Sequence, residues 1–322
     1  MIRRLQRPSR LAVWIPLAYL LLVPPFLQGG TSSLAVLGVH TAILFLLGAV
    51  LLARPGTVSG VRFLPAPWIA LGLCCGISLV SFLHVSYRFG SFVSLFNLVM
   101  YFLLVFSISR LSWSEAERVG CERVLLLSTF FQTLPVLYQF FLEPDSRPSG
   151  WFANPNHLAA FLLIGLWVAT GRFLHGRSRL ERSAAVTAAV FLLAAILSTG
   201  SRGALAALWV VLVAILLRWI SRLGFRRAAA GLAAILVLAL LAGGMVLHRF
   251  RGSVDPYRHA RLRIWPAALR VAADHPILGV GPGMLESRAF NYNPPEEGGP
   301  VRYSKRFLSA HSSYLQILAE TG

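Results

Sequence analysis

The sequence predicts an all-α protein: a polytopic bundle of transmembrane helices with one long external loop containing an amphipathic helix. Three observations predict it. Hydrophobic residues make up 56% of the 322 residues and charged residues only 13%. The apolar residues gather into runs close to the roughly 20 needed to carry a helix across a hydrocarbon core about 30 Å thick. Basic residues sit in the gaps between those runs, dense in one gap and sparse in the next. The short alternating segments of a closed barrel are not what this pattern shows.

Nine apolar segments are expected to span: 11–27, 34–53, 66–84, 92–109, 124–142, 157–174, 184–198, 203–220 and 228–247. The first contains Pro16, Pro24 and Pro25, which membrane helices tolerate near ends and kinks. Arg3, Arg4, Arg7 and Arg10 ahead of it imitate a signal peptide. No small-x-small cleavage site follows, so the segment reads as a retained first helix. With the N-terminus inside, the five inner segments carry 17 arginines, whereas the four short outer gaps carry only Arg88, Arg147 and Arg202. Basic residues over short loops set orientation, so residues 248–310 should form an external loop domain after a transmembrane bundle at 1–247. From His311 to Gly322 a helix would extend only about 18 Å. Its apolar Tyr314, Leu315, Ile317 and Leu318 read as the start of a further transmembrane helix, truncated here.

The net charge of +18 invites a nucleic-acid reading, which the distribution argues against. Of the 30 basic residues 29 are arginine, and most occupy topology-signalling gaps rather than one soluble face. Cys74 and Cys75 lie in an apolar run and Cys121 in a gap, a poor layout for a structural disulfide.

Three outer positions invite chemistry. Arg202 lies in Ser198-Thr-Gly-Ser-Arg-Gly203, a polar break between apolar runs with no carboxylate of its own. A charge drawn into hydrocarbon costs about 2.5–3.5 kcal/mol, so it calls for an anionic partner. A lipid phosphate reached by a snorkelling side chain meets that need as well as a substrate does. Residues 258–273 read as one amphipathic helix with Leu262, Trp265, Leu269 and Ala272 as its apolar stripe. Arg261 falls beside the stripe, and Arg263 and Arg270 share the far face. The same helix also suits an interfacial anchor. His311 opens the terminal segment; it suits proton abstraction from a hydroxyl, or simple helix capping. In Trp151-Phe-Ala-Asn-Pro-Asn-His157, Asn154 and Asn156 either cap the next helix or bind sugar hydroxyls. Gly279-Val-Gly-Pro-Gly283 has no βαβ context and reads as a turn. No metal-ligating cluster is visible, and residues 28–33 contain no acid, unlike metal-dependent membrane glycosyltransferases with acids in that loop.

Taken in order, these pieces resemble the O-antigen ligase and O-antigen polymerase family of bacterial membrane enzymes. The matching segments are Gly150-Trp-Phe-Ala-Asn-Pro-Asn156, Ser198-Thr-Gly-Ser-Arg-Gly203, Arg261-Leu-Arg-Ile-Trp265 through His275-Pro-Ile-Leu-Gly-Val-Gly281, and a terminal motif in which His311 and Ser312 are followed, nine residues on, by Gly322. The likeness covers roughly residues 150–322. It implies inverting, metal-independent, cofactor-free transfer of a glycan from undecaprenyl diphosphate at the periplasmic face of the inner membrane. The acceptor would be lipid A core or another glycan. Carried onto this chain, Arg202 and Arg261, with Arg263 in a lesser part, hold the diphosphate, and His311 takes the proton of the acceptor hydroxyl. A transporter or flippase of lipid-linked sugars is the rival reading, though such proteins usually line their path with intramembrane charges.

Overall fold

In the computed structural model the described residues are 10–52, 65–85, 87–111, 113–143, 146–176, 178–210, 229, 233, 244, 260–292 and 309–322. Regular structure among them is helical, and the backbone bridge between Gln28 and Phe152 is isolated. Among the described residues five helices are long and apolar enough to cross a membrane: α2 (Ser33–Leu51), α4 (Arg88–Arg110), α5 (Glu115–Leu142), α6 (Pro155–His175) and α7 (Arg179–Ser198). They coincide with five of the expected spans. The first and third expected spans appear as α1 (Arg10–Leu22) and α3 (Pro65–Leu83), whose apolar stretches are shorter. Of the expected spans 203–220 and 228–247, residues 202–210 are helical, and nearly all the remainder lies outside the described residues.

Local chemistry sets where these helices begin. The Ser32 hydroxyl accepts the Ala35 N–H, and the Ser178 hydroxyl accepts the Glu181 N–H. Ser114 and Glu117 close a reciprocal capping box ahead of α5. At α6 the Asn154 side chain accepts the Asn156 N–H at 2.8 Å, with Pro155 at the first helical position. Each cap contributes about 1 kcal/mol by satisfying a donor with no intrahelical partner.

The chain divides into two compact units, each discontinuous in sequence. In the first, α5 packs against α1, α6 and α7, and α1 packs against α2. Close approach is bought by glycine: a Cβ at Gly165 would strike the Thr129 hydroxyl of α5. At one end Arg172 of α6 reaches Glu122 of α5 at 3.2 Å and also pairs with Glu181 of α7, which Arg123 approaches at 3.6 Å. The other end is knitted by loops. The Gln132 amide donates to the Pro25 carbonyl at 2.7 Å, and the rings of Phe26 and Trp151 lie 5.1 Å apart.

The second unit contains α3, α4, α8 (Ala260–Asp274), α9 (Leu285–Ala289) and α10 (Ser313–Thr321). Amphipathic α8 packs against α9 and α10, and α10 packs against α3. Its buried face is Ile264, Ala267, Ala268, Val271 and Ala272. This corrects the expected stripe by about one position, because Trp265 and Leu269 are 38% and 49% exposed. Small and β-branched side chains let α8 approach its neighbours, and the bulky ones are displaced to the flank. Arg270 is exposed, on the face anticipated for it.

Candidate functional site

The first unit gathers two of the sequence motifs at the end that holds Trp151. Gln139 of α5 anchors one of them: its side-chain oxygen accepts the N–H groups of Ser149 and Gly150 at 3.0 and 2.8 Å. Arg147 joins that motif to the other. Its Nε and Nη2 donate to the Thr199 carbonyl at 3.2 and 3.0 Å, and Nη2 also donates to Asn156 Oδ1 at 3.3 Å. The Thr199 carbonyl belongs to the last turn of α7, where carbonyls lack helical donors, so a charged fork is a strong substitute. Gly200 then turns the chain at φ 61°, the left-handed region that suits glycine. The Ser201 hydroxyl accepts the Ala204 N–H at 3.4 Å and starts the next helical segment.

Arg202 is therefore the first residue of a helix, and it is exposed. A cation there opposes the helix dipole by about 0.3–1 kcal/mol. An anion held by the guanidinium and the first-turn N–H groups reverses that sign. Asn154 is the cap of α6, with its side-chain oxygen already engaged. The Asn156 oxygen is engaged by Arg147. Both asparagines thus have structural work, and their amide NH2 groups are the parts left to meet a ligand.

The second unit carries the other candidates. Arg261 and Arg263 have helical backbone in α8, while their side chains lie outside what is described. Position 261 precedes Trp265 by one helical turn, about 6 Å along the axis. The Trp265 indole donates to the Ala310 carbonyl at 3.1 Å, and the Ala310 N–H donates to Gln316 Oε1 at 2.8 Å. Ala310 is fully buried and held from both sides. His311 follows it, exposed, with a backbone φ of 49°. Such a conformation in a non-glycine residue costs on the order of 1 kcal/mol or more and persists where the surroundings impose it.

Residues 279–283 form the expected turn, and its role is to cap α10. The N–H groups of Val280 and Gly281 donate to the carbonyls of Ala319 and Glu320 at 3.0 and 2.9 Å. The Ser81 hydroxyl of α3 lies between the Leu278 and Glu320 carbonyls, 3.0 Å from the latter. A Cβ at Gly279 would fall 2.2 Å from the backbone of Glu320, and one at Gly281 would strike Val85. At the end of α8, Tyr292 donates to Asp274 at 2.6 Å, a bond that pushes its phenol above the usual range.

The structure thus brings Asn154, Asn156 and Arg202 into one unit, and the backbone of Arg261 and Arg263 with His311 into the other. Sequence reasoning missed Arg147, Gln139, Gln316 and Glu320. Arg147 had been counted only as a topology signal. Gln316 and Glu320 stand four apart, a spacing that pairs side chains along a helix and could have pointed to them. Among the described residues no three His, Cys, Asp or Glu side chains gather into a metal-binding group.

Comparison with known proteins adds one match. The family described as O-antigen ligase matches residues 187–322, a stretch that includes Arg202, Arg261, Arg263 and His311. No curated protein matches the chain.

Proposed function

We propose that this multi-pass membrane protein, whose residues 187–322 match the family described as O-antigen ligase, transfers a glycan from undecaprenyl diphosphate to a sugar acceptor. The reaction is inverting and needs no metal. His311 removes the proton of the acceptor hydroxyl as its oxygen attacks the anomeric carbon, and the bond from that carbon to the diphosphate oxygen breaks. Arg202 and Arg261, with Arg263 in a lesser part, neutralise the charge that develops on the departing undecaprenyl diphosphate. Guanidinium groups suit this because they stay charged and grip phosphate oxygens in pairs. Asn154 and Asn156 offer amide NH2 groups to sugar hydroxyls.

The chain sits in the bacterial inner membrane with its N-terminus cytoplasmic. Residues 1–247 are its bundle and 248–310 its periplasmic loop domain. The acceptor is lipid A core, which makes the enzyme a ligase, or a growing surface polysaccharide.

The observation that supports the base assignment is the exposed His311 on a backbone held in the left-handed region by a buried, doubly bonded neighbour. A positioned general base contributes about 10²–10⁴-fold. His311→Ala should lower glycan transfer by that factor while lipid-diphosphate binding persists, read from membranes of a gene-deletion strain supplied with each form. Transfer at the unmodified rate would refute the assignment and favour a transporter, and the glycan missing from the deletion strain identifies the acceptor.

A further inference from the structure

Resting on the reading of His311 as the base, we propose that Gln316 and Glu320 are positioning residues, a two-member relay that locks the peptide preceding His311. The chemistry of the two side chains makes the relay directional. A glutamine amide has one accepting oxygen and one donating nitrogen, whereas an ionised carboxylate only accepts. Gln316 gives its nitrogen to Glu320 Oε1, which leaves its oxygen for the Ala310 N–H at 2.8 Å. Without the carboxylate the amide is free to rotate, and its NH2 group would then meet the Ala310 N–H donor to donor. Glu320 therefore decides which end of Gln316 faces Ala310.

Glu320 is itself immobilised. It is 9% exposed, and its carboxylate accepts the Gln316 amide. Its backbone carbonyl takes the Gly281 N–H and lies within reach of the Ser81 hydroxyl. The route from the glycine turn to the base is thus continuous: Gly281 to Glu320, to Gln316, to Ala310. Trp265 closes it from the α8 side by donating to the Ala310 carbonyl. What this arrangement secures is the φ of 49° at His311, a backbone state the residue would not hold unaided.

The test uses the full-length chain in membranes of a strain lacking its own copy, which hold the native donor and acceptor. Gln316→Leu and Gln316→Glu should each lower the turnover number at least tenfold with the donor KM within twofold. Amide hydrogen exchange at Ala310 should accelerate at least tenfold. Combining Gln316→Glu with Glu320→Gln restores a donor–acceptor pair of reversed sense, with an oxygen still facing Ala310. It should recover turnover to within about threefold of the unmodified chain. Unchanged exchange at Ala310 in Gln316→Leu overturns the relay, as does a double variant no better than Gln316→Glu alone. Faster exchange with full turnover also overturns the positioning role. Only full activity of His311→Ala would remove the base assignment beneath it, so the two failures are distinct.

Discussion

The two units present their candidate residues by opposite means. In the first, the asparagines open one long apolar helix and Arg202 follows the end of another, and one exposed guanidinium ties two loops together. In the second, His311 depends on short helices packed through glycine and alanine and on a buried carboxylate. Long helices are located by the membrane they cross, so a lost loop bond shifts a side chain without undoing its support. Short amphipathic helices have no such external reference. Their positions come from contacts, and removing one contact moves several groups at once. The second unit should therefore be the more brittle.

Substitutions can sharpen or break that contrast. The largest effect is expected from Gly279→Ala. Its methyl group must occupy a left-handed backbone and overlap Glu320, at a cost of about 3 kcal/mol. Hydrogen exchange across α9 and α10 should rise while exchange in α6 and α7 stays unchanged. An unperturbed α10 would show that the unit is not held as described. Arg202→Lys comes next. It keeps the charge and loses the fork, and transfer should fall about tenfold with no change in thermal stability. A lysine form as active as the parent would mean that a point charge suffices. Arg147→Ala should have the smallest effect, a few-fold loss of transfer corresponding to roughly 1 kcal/mol. A loss as large as that for Arg202→Lys would show that the first unit is as tightly coupled as the second.

Much of this was legible beforehand, for reasons that differ by element. Apolar runs announced the five long helices because a span must satisfy its backbone internally. Asn154 offered a helix start because capping is a local bond, whereas the caps Ser32, Ser114 and Ser178 were not singled out. The motifs around Arg202, Arg261 and His311 were picked out because a charge or imidazole is conspicuous beside hydrocarbon. The phase of α8 was misjudged because large side chains were assigned to the core, whereas Ala267 and Ala268 are what close packing against α10 requires. The bond from Arg147 to Thr199 joins residues 52 apart, a pairing no periodicity encodes. Glu320 was hidden by its setting, since an acid in a run taken for a span draws the eye to topology rather than to hydrogen bonding.

One bond carries a consequence for biosynthesis. Ser81 meets its carbonyl partners 197 and 239 residues further along the chain. At about 5–20 residues per second, the ribosome needs roughly 10–40 s to deliver the nearer one. Throughout that interval α3 has been made while the hydroxyl it will bury lacks its mate. A newly inserted chain therefore waits half-assembled, and a membrane chaperone or protease has tens of seconds in which to recognise it.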